Sequence, residues 1–212
     1  MNFVEPGETC TIGTNINALM VRYDFMEKKT VYFEKRGKQN TEETLRLARA
    51  RAEELGIKQI VAASTHGYTA MKAAEIFQGA GIQLIAVSIS TAFDKEGWTM
   101  NAKEREKVEQ AGVLVLTTIH GLADGVAEGL YGESTPGNVI ANTLRMFSQG
   151  MKVAVEVSIM ALEAGVVSTG QEIIAVGGTD EGCDTAVVVR PAYARKIKEY
   201  RICEILCKPR IA

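Results

Sequence analysis

The residues best suited to bind a ligand stand between a short apolar run and a predicted helix. Directly after the apolar run QIVAA come Ser64, Thr65, His66, Gly67, Tyr68 and Thr69. The N–H groups at a helix N-terminus carry a partial positive charge, and hydroxyl groups add donors, so this segment predicts a phosphate site. The alternative is an ordinary turn in which Thr69 caps the helix, because Ser and Thr are also common capping residues.

Gly67 within this segment is expected to let the backbone approach a phosphate closely, since glycine has no side chain in the way. Gly67→Val is therefore predicted to abolish binding of any phosphorylated ligand while leaving the fold intact.

Two other segments follow apolar runs in the same way. His120 ends the run VLVLTTIH and is followed by glycine, as His66 is. The two imidazoles could line one crevice, or both could be ordinary hydrogen-bonded loop residues. The second segment, 177–184, begins with two glycines that would permit close approach to a flat ligand. Its alternative is a glycine-rich turn that joins two strands.

Acidic and thiol side chains supply the remaining candidates. Asp184 or Asp180 could accept hydrogen bonds from hydroxyl or N–H groups of a ligand. Glu156 lies in an apolar stretch, where it either pairs with Lys152 four residues earlier or contacts a ligand. Cys183 is a possible nucleophile, although nothing nearby in the sequence would lower its pKa.

An alternation of strands and helices must position these residues. Predicted strands cover 30–34, 59–63, 83–88, 113–117, 172–176, 186–189 and 202–206, and predicted helices cover about 40–55, 69–77, 102–111 and 135–164. Asn40 is predicted to cap the first helix, and Gly150 could break the last one into two. The pattern predicts an α/β fold with a mostly parallel sheet and helices on both faces. Ligands of such sheets bind outside the carboxyl ends of the strands, where the segments above lie. Gly121, Gly125 and Gly129, spaced by four, suggest a closely packed helix face.

Composition excludes several classes of protein. The 212 residues include 24 Lys and Arg against 26 Asp and Glu, a net charge of −2 that argues against nucleic-acid and anionic-membrane partners. No apolar stretch approaches the ~18 residues of a membrane span. Four cysteines without a CxxC motif indicate a reducing cytoplasm and no metal site.

Neither the dinucleotide-binding motif GxGxxG nor a Walker A motif is present. We expect one domain over 26–212 and an N-terminal extension over 1–25.

Several motifs resemble one known family. The segment IVAASTHGYTAMKAAE is similar to the strand, phosphate loop and helix of the pyruvate kinase C-terminal domain, with His66 at the place of a hydroxyl residue. The stretches SQGMKVAVE and VGGTDEGCDTA resemble small stand-alone proteins of this type, over about residues 26–210. The resemblance implies a three-layer, pyruvate kinase C-terminal domain-like α/β fold and a bound FMN. It does not imply pyruvate kinase activity, because that active site belongs to a separate barrel domain.

The resemblance and the motifs together predict a protein that binds FMN. The phosphate would contact 64–69, and the ring would extend toward Gly178, Thr179 and Asp184, with Asn40 and Thr41 nearby. One alternative is a flavin-dependent oxidoreductase of unknown substrate with His66, His120 or Glu156 as proton donor. Another is a regulatory module that senses a phosphorylated metabolite. We also expect a homo-oligomer, because the apolar part of 1–25 and the Gly121, Gly125 and Gly129 face both need a covering surface.

Overall fold

The computed structural model describes residues 26–123 and 125–211. The predicted N-terminal extension, residues 1–25, lies outside the described residues. Seven strands form one sheet: β1 (Val31–Phe33), β2 (Gln59–Ala63), β3 (Gln83–Ser88), β4 (Leu114–Thr117), β5 (Ile173–Gly177), β6 (Thr185–Arg190) and β7 (Arg201–Pro209). Their order across the sheet is β1-β7-β6-β5-β2-β3-β4.

Six of these strands run in one direction, and β6 is the single reversed strand. β6 pairs antiparallel with both β5 and β7, whereas every other neighbouring pair is parallel. The carboxyl ends of β1, β2, β3, β4, β5 and β7 therefore meet at the same edge of the sheet. The start of β6 lies at this edge too, because β6 returns directly from the end of β5.

Helices cover both faces of the sheet. They are α1 (Thr41–Leu55), α2 (Tyr68–Ile76), α3 (Ala102–Gln110), α4 (Val126–Tyr131), α5 (Pro136–Arg145) and α6 (Gln149–Glu163). Short 3-10 helices occupy Lys38–Asn40, Thr91–Glu96 and Ala194–Glu199. None of the helices described combines the length and hydropathy that a membrane crossing requires.

Successive strand residues point to opposite faces and so enter two separate hydrophobic cores. In β2, Ile60 and Ala62 pack in the core that includes Leu45 of α1 and Ala73 of α2, whereas Val61 packs in the core of α6. Because β2 is covered on both faces, its residues are apolar without alternation. The predicted three-layer α/β fold with a mostly parallel sheet is thus confirmed.

Some local predictions need correction. Asn40 does not cap α1 with its side chain, because its amide donates to the Lys35 carbonyl oxygen over 2.6 Å. The long predicted helix 135–164 is interrupted at 146–148 rather than at Gly150, and the Ser148 hydroxyl begins α6 by accepting from the Met151 N–H. The predicted glycine face does not form, because Gly121 and Gly125 precede α4 and Gly129 has no neighbour where its side chain would be.

Candidate functional site

A cavity of about 580 Å³ opens at the carboxyl edge of the sheet, between the first turns of α2 and α6. Its volume lies within the range of about 300–1,000 Å³ typical of small-molecule sites. Loops after β2, β3 and β5 contribute to its wall together with α6. The lining residues are Ala63, Ser64, Thr65, His66, Tyr68, Thr69, Ile89, Trp98, Gln149, Val153, Gly178, Asp180, Glu181 and Gly182.

One wall of the cavity is the N-terminus of α2. Gly67 precedes this helix with a φ of +88°, and its carbonyl oxygen accepts the first bond of the helical ladder, from the Met71 N–H. The Ser64 hydroxyl accepts from the Ala70 N–H over 3.1 Å and so satisfies one free donor of the first turn. The N–H groups of Tyr68 and Thr69 lie in the first turn, where the helix offers them no acceptor. They give this end of the helix its partial positive charge.

Thr69 differs from the other hydroxyl residues of this wall. It lines the cavity although only 2% of its surface is exposed, and its hydroxyl forms no hydrogen bond with another described residue. Its Oγ1 is not among the fully buried oxygen atoms without a partner, so this atom remains open to the solvent that fills the cavity. This side chain can therefore gain a hydrogen bond from a polar ligand atom.

His66 stands at the mouth of the cavity beside the first turn of α3. Its Nδ1 lies 3.4 Å from a carboxylate oxygen of Glu104. The same Glu104 oxygen accepts from the Asn101 N–H over 2.9 Å in the capping box that begins α3. The helix cap therefore holds the carboxylate in place, and the carboxylate in turn holds one edge of the imidazole.

The loop after β3 places an aromatic side chain in the wall. Trp98 stacks on Phe93 with ring centroids 5.9 Å apart and 18° between the planes. Phe93 also contacts His120, with centroids 5.6 Å apart. His120 does not line the cavity, and the ring that it contacts, Phe93, is stacked on Trp98 of the wall. The cavity therefore includes one of the two histidines, His66.

The loop between β5 and β6 forms the acidic part of the wall. Asp180 is the one non-glycine residue with a positive φ, +60°, among those the structure describes, and it lines the cavity next to Glu181. Glu181 pairs with Lys38 over 2.8 Å, and the Lys38 ammonium lies 4.1 Å from the centre of the Tyr68 ring. Backbone strain of this kind often occurs at ligand sites.

Asp184 and Thr41, both expected at the ligand, hold this loop in place from outside the cavity, and Asn40, which was also expected there, does not line the cavity. The Asp184 carboxylate is fully buried and accepts from the Gly37 N–H over 2.8 Å. The Thr41 hydroxyl accepts from the Cys183 N–H over 3.1 Å and donates to the Lys38 carbonyl oxygen. Asn40 bonds within its own loop. These side chains have structural roles because their polar groups are already paired with backbone.

Two more expected residues also lie away from the wall. Thr179 is half-buried but does not line the cavity, although its neighbours Gly178 and Asp180 do. Gly67 does not line it either, because the space beyond its Cα is filled by Val108, whose Cγ2 would be 2.7 Å from an added Cβ. Gly67→Val is therefore expected to destabilise the fold, in addition to any effect on ligand binding.

The other reactive candidates are buried. Lys152 donates to Glu156 within α6, and both side chains are almost fully covered. The pairing alternative thus holds for Glu156, although its second oxygen has no partner among the described residues. Burial raises the pKa of the Cys183 thiol, so it is not a thiolate near neutral pH.

Sequence reasoning did not predict a ligand contact for several residues of the wall, among them Ala63 at the end of β2. Ile89 and Trp98 come from the β3 loop, and Gln149 and Val153 come from the first turns of α6. The sole tryptophan of the chain in an otherwise polar loop after a strand was the available signal. No residue pattern marks Gln149 and Val153, because their place in the wall depends on how α6 crosses the sheet.

Comparison with known proteins agrees with this architecture. Residues 42–189 match the family model of the pyruvate kinase alpha/beta domain. Similar solved structures include a pyruvate kinase from Cryptosporidium parvum (18% identity, 72% of this chain and 23% of that chain, TM-score 0.38). A second structure of the pyruvate kinase from this organism gives 16% identity, 72% and 22% coverage and a TM-score of 0.36. A third, in complex with ADP, gives 18% identity, 72% and 24% coverage and a TM-score of 0.38.

The chain thus spans about a quarter of the length of these kinases. The family match covers more than half of the chain and includes the strands and loops that form most of the cavity. The chain belongs to the pyruvate kinase alpha/beta domain family.

Proposed function

We propose that the cavity binds a phosphorylated small molecule, with FMN as the first candidate. The observation that carries the proposal is Thr69 at the N-terminus of α2, which lines the cavity with only 2% of its surface exposed and whose hydroxyl forms no hydrogen bond with another described residue. A phosphate oxygen would accept from this hydroxyl and from the free N–H groups of the same helix turn.

The residues of the wall suit the other features of FMN. Ser64 and Thr65 add hydroxyl groups next to the phosphate position. Ile89, Val153 and Trp98 form an apolar surface for a ring, and Asp180 could accept from the ribityl hydroxyls. FMN would bring redox chemistry to the cavity; the chain's own residues bind the ligand, orient it and limit its contact with water. The proposal is a binding function and includes no pyruvate kinase activity.

The proposal is tested by titration of the purified protein with FMN, followed by flavin fluorescence and calorimetry. Thr69→Val keeps the shape of the side chain and removes the hydroxyl, so the affinity for FMN should fall at least about tenfold, because hydrogen bonds to charged groups contribute about 1.5–3 kcal/mol. Riboflavin, which lacks the phosphate, should bind both proteins equally. Thr143→Val in the exposed part of α5 is the matched control and should bind FMN as the wild type does.

The outcomes separate the alternatives. If the wild type does not bind FMN but binds sugar phosphates tightly, the domain is a metabolite sensor and FMN is the wrong candidate. If Thr69→Val binds FMN as tightly as the wild type, the phosphate does not lie at α2. Oxidoreductase activity would additionally require that a hydride donor reduces FMN bound to the wild type.

A further inference from the structure

The most unusual side chain of the cavity wall is Trp98. It is the sole tryptophan of the chain, it lines the cavity, and 53% of its surface is exposed. Leaving a large indole half-exposed forgoes the free energy of burying it. A surface of this kind at the rim of a ligand cavity is suited to a ring that would cover it.

The indole is held in a fixed orientation before any ligand binds. Phe93 stacks on one side of it, and the backbone N–H of Trp98 donates to the Phe93 carbonyl oxygen over 3.3 Å. The Thr99 hydroxyl donates to Asp94 over 2.6 Å and closes the same turn. Because the ring is already ordered, a ligand that stacks on it loses little affinity to the ordering of the side chain.

The position of Trp98 also distinguishes two directions in which a ligand could extend. β2 lies between β3 and β5, so the phosphate position at α2 is central. On the β5 side the wall carries Asp180 and Glu181, whose carboxylates favour hydroxyl and N–H donors. On the β3 side it carries Ile89 and Trp98, which favour an apolar or aromatic group.

We infer that Trp98 stacks on a planar aromatic ring of the ligand and makes the cavity selective for aromatic phosphates, such as a flavin or a purine nucleotide, over sugar phosphates. The inference rests on the proposed function, since it takes the phosphate to lie at α2. It differs from the sequence-based expectation, which directed the ring toward 178–184. Stacking on an aromatic side chain changes affinity by roughly 5- to 150-fold per ring when the side chain is replaced by alanine.

The test compares ligands with and without a ring on matched variants. FMN, riboflavin and ribose 5-phosphate are titrated into the wild type, Trp98→Ala and Trp98→Phe, with calorimetry as the common measurement. FMN and riboflavin should lose at least fivefold in affinity with Trp98→Ala and retain most of it with Trp98→Phe. Ribose 5-phosphate should bind all three proteins equally and more weakly than FMN.

Tryptophan fluorescence gives an independent readout, because the wild type contains no other tryptophan. FMN should quench this emission at saturation, and ribose 5-phosphate should leave it nearly unchanged. Tyr193→Ala, which removes another exposed aromatic side chain outside the cavity wall, is the control and should bind FMN normally. Circular dichroism checks that each variant is folded.

Failure of this inference can be distinguished from failure of the proposed function. If Trp98→Ala binds FMN as the wild type does while Thr69→Val does not, the phosphate site stands and the stacking role is overturned. If ribose 5-phosphate binds as tightly as FMN, the aromatic selectivity is overturned. If the wild type binds none of the three ligands, the proposed function is overturned, and the inference with it.

Discussion

Gly67 shows how one residue can serve the fold at a position that resembles a ligand contact. Its φ of +88° belongs to the left-handed region, which residues with a side chain rarely adopt. An added Cβ would lie 2.7 Å from the buried Val108 Cγ2. Glycine is therefore required here so that the turn before α2 can pack on α3.

Gly67→Ala is expected to destabilise the protein more than Gly79→Ala. Both positions have a positive φ, which costs about 1–2 kcal/mol for alanine. Only Gly67 meets a buried neighbour, so its substitution should cost about 1–3 kcal/mol more through overpacking. Urea denaturation of the two variants and the wild type measures the difference. Equal losses would show that Val108 moves aside freely.

Only part of the cavity wall could be predicted from the sequence. Ser64, His66 and Thr69 could be placed at the cavity because a local pattern, strand then hydroxyl-rich turn then helix, determines their position. Thr41 and Asp184 could not be assigned in this way. Each is paired with a loop that is distant in sequence, and no local pattern distinguishes a side chain bonded to such a loop from one that faces a ligand.

At the scale of elements, α6 is the most deeply buried helix and contains a charged pair. Lys152 and Glu156 are only 5% and 3% exposed, and one oxygen of Glu156 has no partner among the described residues. Taking two charges out of water is costly, and their attraction offsets this cost only while both are present. Replacing one residue of the pair should therefore destabilise the protein more than replacing both.

Glu156→Leu is expected to lower the free energy of unfolding by about 3–5 kcal/mol, because it leaves the Lys152 ammonium buried without its partner. The double variant Lys152→Met, Glu156→Leu should recover most of this loss, since it removes both charges. Thermal and urea denaturation of the three proteins measure the coupling. A single variant no less stable than the double one would contradict a desolvated pair.

Most elements could be predicted from the sequence because their signals are local. The bounds of β2 and β3 coincide with the predicted runs QIVAA and QLIAVS, whose central residues are continuously apolar. The reversal of β6 and the pairing of β1 with β7 could not be predicted. These features depend on which strands meet in three dimensions, and the strands' own residues look alike.

At the scale of the whole molecule, buried thiols make stability depend on alkaline pH. Burial raises the pKa of the Cys207 thiol to about 12 and also raises the pKa of Cys183. In the unfolded chain both thiols ionise near pH 8.5. The stabilising effect is therefore complete below this pH and is lost as the pH rises, because only the unfolded state gains thiolates.

The free energy of unfolding should fall between pH 8.5 and pH 10 by about 1.4 kcal/mol per pH unit for each of these thiols. Urea denaturation at several pH values measures this slope. The variant Cys183→Ala, Cys207→Ala is the control, and its slope should be smaller. An unchanged slope would show that other groups, such as the buried Tyr200 phenol, cause the dependence.

The surface between residues 119 and 147 bears on the predicted homo-oligomer. Asn138 donates to Glu128 over 2.8 Å and joins α5 to α4. Large apolar side chains exposed in this region are Ile119, Val126, Leu130, Tyr131, Val139, Met146 and Phe147. Large exposed apolar patches are rare on monomers, so we propose that this segment forms the contact surface of the predicted homo-oligomer.

Light scattering at micromolar concentration should show a species larger than a monomer. Leu130→Glu combined with Val139→Glu should shift it to the monomer, because charges in an apolar interface oppose association. Ile211→Glu, at an exposed apolar residue elsewhere, should leave the oligomer intact. A monomeric wild type would contradict self-association, and an unaffected double variant would place the interface on another surface.

The pairing of β1 with β7 has a consequence for how the chain is made. Val31 of β1 pairs with Cys207 of β7. β1 can therefore join the sheet only after β7 has been synthesised. The hydrogen bond from the Gly37 N–H to the Asp184 carboxylate likewise joins two segments that are synthesised at different times. Contacts between such distant segments slow folding. The contacts that fix the loop carrying Asp180 therefore form late in folding. We expect the cavity to be absent from a nascent chain that still lacks β7.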